Sequence, residues 1–294
     1  MRRLGLCAIA VCSSFGCSDV ELSAGLDDSL RVDAAQFQRG ALPGGINSDS
    51  SPRVSSLSLE RRVFVQGTSG HRLTGLASRD AYSVALALDG GSGYWVRPVA
   101  GADPAAPDSL TWDFEFGLAA DAEPGIRSLR VVALDESGQA GGQAEAEVCV
   151  ADRIPDNLNA CDPGSKPPAL VVVLEWQGSA DLDLRVVTPT GAIVDRHHTD
   201  AGGELKLDDG IGCTGEAGLE SIVFEDKPTS GLYQVFVVAF EPCSDVSGRY
   251  QLKLRTASNL GSGQYSVDTR RVASGVIPLT QGRTTTFVAE FRIR

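Results

Sequence analysis

The sequence predicts an all-β chain made of two antiparallel β-sandwich domains, at residues 57–150 and 169–294. Three observations predict it. Apolar and polar residues alternate with period two, as Trp112, Phe114 and Phe116 do against Thr111, Asp113 and Glu115; this sends one strand face to a core and the other to solvent. The alternating runs are short, and clusters of Gly, Asp, Ser and Pro separate them. No stretch sustains the 3.6-residue periodicity of an amphipathic helix.

The elements follow in chain order. Arg2 and Arg3 precede a short apolar stretch, Leu4 to Val11, and small residues then lead to Cys17. This is the order of a secretory signal, placed at 1–16. The stretch is too short to span a bilayer, and no run of about 18 apolar residues occurs elsewhere. Gly16-Cys17 is similar to the end of a bacterial lipoprotein signal, although Ser14 stands where that pattern usually has leucine. The resemblance implies that Cys17 is lipidated and anchors the chain to a membrane, with Ser18 favouring the outer membrane. Simple secretion is the alternative. Residues 17–56 are rich in Ser, Asp, Gly and Pro and read as a flexible tether, with a short helix around Asp28 to Gln38 as a secondary expectation.

Runs near 58–66, 72–77, 82–88, 94–99, 110–116, 127–134 and 143–150 make about seven strands. That number in so short a segment suggests an immunoglobulin-like sandwich. Pro124-Gly125, the run Ser128 to Ala133, and Asp135-x-x-Gly138 are similar to bacterial Ig-like repeats. Residues 151–168 hold Pro155, Pro163, Pro167 and Pro168 and read as a stiff linker. Beyond it, Leu170 to Trp176 is apolar on both faces, as a central strand should be. Leu182, Leu184 and Val186 alternate with Asp181, Asp183 and Arg185, and further strands end on Phe287, Ala289, Phe291 and Ile293. A second sandwich, jelly-roll-like or Ig-like, follows.

Seven cysteines occur, and Cys7 and Cys12 leave with the signal. Cys149, Cys161, Cys213 and Cys243 allow three pairings. Two compact, turn-rich segments favour Cys149–Cys161, clamping the linker, and Cys213–Cys243, as expected in an oxidising compartment. A thiolate metal cluster is the weaker alternative, because no C-x-x-C spacing exists.

Leu174-Glu175-Trp176, then Ala180-Asp181-Leu182-Asp183-Leu184-Arg185-Val186-Val187 and Thr188-Pro189-Thr190-Gly191, carry more than pattern. A second block joins Gly202-Gly203-Glu204-Leu205, Asp208-Asp209 and Gly218-Leu219-Glu220-Ser221-Ile222. Together, over about 169–255, they resemble the YfaP-like family of uncharacterised bacterial envelope proteins. The resemblance implies an extracytoplasmic β-sandwich with no established activity. Arg185 replaces a frequent histidine and Leu219 a proline, so no role of that histidine is carried over.

Asp181 and Asp183 lie two apart on one strand, so both face away from the core. Calcium takes six to eight oxygens; Asp208, Asp209 and Glu220 from the long loop 195–219 supply further carboxylates, with Asp195 a lesser candidate. The alternative is a solvated acidic face with turn-forming aspartates. His197 and His198 are adjacent and face opposite ways in an extended chain, so they make a poor joint ligand; His71 reads as an exposed turn residue. Trp112 and Trp176 sit in core-facing patterns, and of Tyr94 and Trp95 only one can face solvent, which argues against an aromatic sugar platform. The net charge of −12 without a basic stripe excludes nucleic acid as a partner. None of the local signatures G-x-S-x-G, H-E-x-x-H, S-x-x-K or P-loop is present.

These readings converge on a non-catalytic envelope lipoprotein that binds or scaffolds an extracellular protein or polysaccharide, with Ca²⁺ as the candidate cofactor. A secreted hydrolase using the acidic cluster and a purely structural spacer are the alternatives. A glycosidase needs two carboxyl groups facing across an open cleft, about 5–9.5 Å apart, whereas convergence of the carboxylates on one point favours a metal.

Overall fold

The computed structural model describes residues 25, 27–45, 51–199, 201–208, 213, 217–279 and 283–294. The signal at 1–16, Cys17 and Asp209 lie outside the described residues. The fold is all-β, with no helix among the described residues. The first sandwich contains β1 (Leu30–Val32), β2 (Gln36–Arg39), β3 (Val54–Leu59), β4 (Val63–Val65), β5 (His71–Ser78), β6 (Ser83–Leu88), β7 (Gly93–Pro98), β8 (Ala102–Asp103), β9 (Ala106–Leu118), β10 (Gly125–Leu134) and β11 (Ala144–Ala151). One sheet runs β1-β9-β5-β3 with β8 on β9; the other runs β2-β7-β6-β10-β11-β4. Trp112, Phe114 and Phe116 point between the sheets together with Leu73, Leu86, Leu129 and Val131, as their alternation requires.

Residues 17–56 are not a flexible tether throughout, and no helix forms at Asp28 to Gln38. β1 pairs with β9 and β2 with β7, and the chain re-enters the fold at Val54. Leu30 is fully buried, and the ring of Phe37 packs 5.1 Å from that of Trp95. Strands of three and four residues are too short to display a periodic signal, which is why composition alone misleads here. The expected strand at 58–66 is divided: β3 belongs to one sheet and β4 to the other, and β4 pairs with β11 in parallel, the one parallel pair in an otherwise antiparallel set. His71 is buried rather than exposed. Its ring sits between Phe64 and Phe116, 4.7 and 5.5 Å away, and bonds the Thr68 hydroxyl at 2.8 Å. Burial, then the nearby Arg61, pushes its pKa down.

The second sandwich contains β12 (Leu170–Gln177), β13 (Asp181–Val187), β14 (Ile193–Val194), β15 (Glu204–Asp208), β16 (Ala217–Phe224), β17 (Gly231–Glu241), β18 (Ser247–Gly261), β19 (Gln264–Pro278) and β20 (Thr284–Ile293). Its sheets run β15-β16-β12-β18-β19 and β14-β13-β17-β20. β12 is central, as its two apolar faces predict: Val172 and Leu174 enter the main core, while Val171 and Val173 form a second cluster with Leu219 and Val223 on the outer side. Segment 195–219 is not one loop, since it carries β15 and the start of β16.

Both sandwiches seat a tryptophan over a glycine. Gly75 pairs with Trp112 and Gly218 with Trp176. A Cβ at Gly75 would lie 2.3 Å from the Trp112 indole, and one at Gly218 would lie 2.0 Å from that of Trp176. Only glycine lets the indole lie flat across the neighbouring strand.

Both expected disulfides form, with Cα atoms 5.7 Å apart for Cys149–Cys161 and 5.6 Å for Cys213–Cys243. Such bonds mark a chain that matures outside the reducing cytosol. Among the described residues no helix is long and apolar enough to cross a membrane. The strand-free segment 152–169 touches both sandwiches. The Gln66 carboxamide oxygen accepts from the Arg153 N–H at 3.0 Å, Arg255 bonds Asp152 at 2.6 Å and the Ile154 carbonyl at 3.1 Å, and Ile154 covers the outer cluster around Val171.

A candidate metal centre at the corner of the second sandwich

β15 and β16 form one edge of the five-stranded sheet, and β14 and β13 form an edge of the other. At this corner β13 and β16 pack against each other. β14 reaches only Val186 and Val187, so β13 has no strand partner on that side at Leu184. Glu220 takes that place. It shares the inward parity of Ile222 and Phe224, is fully buried, and its Oε2 accepts the Leu184 N–H.

Asp181 and Asp183 leave the core face, as the alternation with Leu182 and Leu184 demands. They do not reach solvent: Asp181 is 2% exposed and Asp183 6%. The solvated acidic face is therefore corrected for this pair, because the corner and the turn after β14 cover the outer side of β13. Carboxylate oxygens of Asp183, Asp208 and Glu220 lie within 4.8 Å of one another. Arg196 faces two of them, 3.4 Å from Asp183 and 3.5 Å from Asp208. Arg196 and Arg283 both stand over the Phe240 ring, at 5.5 and 4.3 Å.

Arg283 adds a weaker pull on Asp183, and the two guanidiniums do not balance four carboxylates. Oxygens of Asp181 (Oδ1), Asp208 (Oδ1) and Glu220 (Oε1) are buried with no hydrogen-bond partner. A buried carboxylate without partners resists ionisation. Burial pushes Asp183 up to about 6, against Arg196 and with help from Asp181 and Asp208. Burial pushes Glu220 up to about 10, opposed by the Leu184 N–H and reinforced by Asp183 and Asp208. Burial and then Asp208 raise Asp181. A divalent cation would replace those protons and supply the charge the corner lacks. The donors are all carboxylate oxygens, the set that suits a hard cation such as Ca²⁺ or Mg²⁺.

Of the sequence-derived ligands, Asp183, Asp208 and Glu220 meet, and Asp181 adjoins them. Asp195 does not join. It is tied to Arg185 at 3.1 Å and to His198 Nδ1 at 2.7 Å, and the hydrogen bonds from His198 and the His197 N–H outweigh its burial and hold its pKa low. Trp95 is the buried member of its pair, and its Nε1 donates to the Leu30 carbonyl at 2.9 Å.

Sequence reasoning missed the braces around the site. Asp245, in the turn between β17 and β18, accepts from the N–H groups of Ser179 and Ala180 at 2.6 and 3.2 Å and so fixes the entry to β13. Cys213–Cys243 ties the connection between Asp208 and Glu220 to that same turn. Arg196 carries no sequence signal beyond its neighbourhood to Asp195.

No known family matches the chain, and no curated protein matches it. Among solved structures it is similar to one described as manganese lipoxygenase of Gaeumannomyces graminis with a partial structure of zonadhesin of Komagataella pastoris, at 11% identity and a TM-score of 0.20, over 82% of this chain and 99% of that one. A likeness that slight carries no argument about this chain.

Proposed function

We propose that the chain is a non-catalytic cell-envelope protein of the YfaP-like kind, held to the outer membrane by lipidated Cys17, that binds or scaffolds an extracellular protein or polysaccharide. Its second sandwich is locked by a divalent cation, Ca²⁺ by preference, at Asp183, Asp208 and Glu220, with Asp181 beside them. One observation carries the cation reading: two buried carboxylates, Asp183 and Glu220, and the half-buried Asp208 converge within 4.8 Å, and Glu220 presents an unpartnered oxygen to the group. The same observation disfavours the hydrolase reading, because a glycosidase pair flanks a cleft wide enough for a sugar and these carboxylates close on each other. Two disulfides support export. Recognition on such a frame falls to the loops and outer faces that rigid strands hold in place.

Thermal melting with Ca²⁺ and with EDTA tests the lock. A cation that binds only the folded state adds about 2.7 kcal/mol at a hundredfold excess over Kd, so the Tm rises by several degrees in Ca²⁺. Identical melting in Ca²⁺, Mg²⁺ and EDTA overturns it. Mass spectrometry of the native N-terminus tests the anchor: an acylated Cys17 is expected, and a free secreted chain overturns it.

A further inference from the structure

A pocket lies on the opposite face of β16 from Glu220. The outer face of the five-stranded sheet is half covered: Ile154 of the linker seals the part around Val171 and Val173. The rest is open. There Arg153 from the linker and Arg249 of β18 border a pocket of about 230 Å³, with Gln177 and Gln251 on its walls and Leu219 and Ala217 in its floor. Arg153 is positioned by the first sandwich, through the Gln66 bond to its N–H, while the other walls belong to the second. The linker therefore supplies one wall residue and the second sandwich the rest.

Its charge runs against that of the molecule. The chain carries −12 overall, yet two arginines line this pocket. The one carboxylate in its lining, Glu175, is occupied by Lys253 at 2.6 Å to both oxygens. Arg249 is exposed, and its side chain makes no hydrogen bond or ion pair among the described residues. A guanidinium fork matches a carboxylate through two parallel hydrogen bonds. The Gln177 and Gln251 amides each offer a donor and an acceptor, the pairing that vicinal hydroxyls need. Leu219 and Ala217 present an apolar surface for a ring's C–H face. A bare anion has no use for the amides or the apolar surface, and an acidic peptide, whose backbone amides also pair with carboxamides, is the competing occupant that the test must separate.

We infer that this pocket between the linker and the second sandwich binds a carboxylate-bearing sugar, a uronic acid unit of an acidic polysaccharide. The inference rests on reading the chain as an exported binding module; it does not depend on the cation. Titration calorimetry of the full chain with an oligogalacturonate tests it, run in EDTA so that no cation bridges protein and sugar. Binding that weakens with added salt is expected, with at least a tenfold loss in Arg249→Gln and a smaller loss in Gln251→Ala. Arg249 is exposed, so its variant melts as the parent does. A neutral maltooligosaccharide binds at least tenfold more weakly. Three results overturn the inference: no uronate binding at millimolar concentration, binding unchanged in Arg249→Gln, or equal binding of an oligoglutamate peptide. Failure here leaves the Ca²⁺ melting shift untouched, and loss of that shift leaves uronate binding in EDTA untouched.

Discussion

Each sandwich buries a carboxylate, and the two are buried differently. Asp28, 2% exposed, sits where the chain enters the first sandwich. Its oxygens accept from Leu30 N–H at 2.9 Å, Ser92 N–H at 2.6 Å, the Ser92 hydroxyl at 3.0 Å and Gly93 N–H at 3.1 Å. Glu220, fully buried in the second sandwich, has one N–H from Leu184 and an oxygen with nothing, beside two more carboxylates. Asp28 satisfies the backbone groups that anchor β1 to the β6–β7 turn, so its burial is structural. Glu220 and its neighbours are short of positive charge, and that imbalance is what the proposed cation would relieve. Burial alone does not mark a site; the balance of partners does.

This contrast can be broken by experiment. The largest expected effect is at Asp28. Asp28→Ala strands several buried donors and removes charge-assisted bonds, costing about 3 kcal/mol. Denaturant melting should show that loss while the Ca²⁺-induced shift keeps its size; a variant that also loses the shift would make the two sites one.

The paired glycines come next. Gly75→Ala and Gly218→Ala each push a methyl into an indole, and overpacking of this kind costs about 1–3 kcal/mol. The larger loss is expected at Gly75, whose methyl also lies 2.1 Å from the Ser56 carbonyl oxygen of the neighbouring strand. A neutral Gly218→Ala would mean that the Trp176 ring relaxes and that the corner below it is softer than drawn.

A smaller effect is the pH dependence without cation. Asp183 and Glu220 have folded pKa values raised above their ordinary ones, to about 6 and about 10. Their stabilising contribution is full below the unfolded values near pH 4 and is lost as pH rises through the folded ones. In EDTA the Tm therefore falls from pH 5 to pH 8. In Ca²⁺, where ligands must be deprotonated, the gap between the two melting curves widens over the same range. A Tm in EDTA that is flat or rising from pH 5 to pH 8 contradicts the charge deficit.

The smallest effect is the most diagnostic. Glu220→Gln mimics the neutral acid, so the EDTA melting curve at pH 7 stays within about 0.5 kcal/mol of the parent. The Ca²⁺ shift disappears. Retention of the shift would remove Glu220 from the site.

Much of this was legible beforehand, and particular residues show why. Trp112, Phe114 and Phe116 advertised their face because period-two alternation is the direct image of a pleated strand. Cys149–Cys161 and Cys213–Cys243 followed from compact intervening segments. Glu220 was expected from a loop and stands instead inside β16, where the polar Ser221 beside it blurs which face it takes. β1 and β2 were hidden because three or four residues hold too little periodicity. His71 was misread because glycine on one side and arginine on the other suggest a turn, whereas its ring lies against Phe64 and Phe116.

The sequence by itself determined the class of fold and the side of β13 to which Asp181 and Asp183 turn, and it favoured the sulfur pairing that forms. Tertiary structure decided what waits on that side. Alternation encodes the direction in which a side chain leaves its strand, and neighbours in the chain set that direction. Whether the direction ends in water or beneath another sheet's edge depends on segments far apart in sequence: β16 folding over the unpaired flank of β13, Arg196 closing the outside, and Asp245 and Cys243 pinning the loops. Those contacts turn a row of outward carboxylates into a buried, charge-deficient corner.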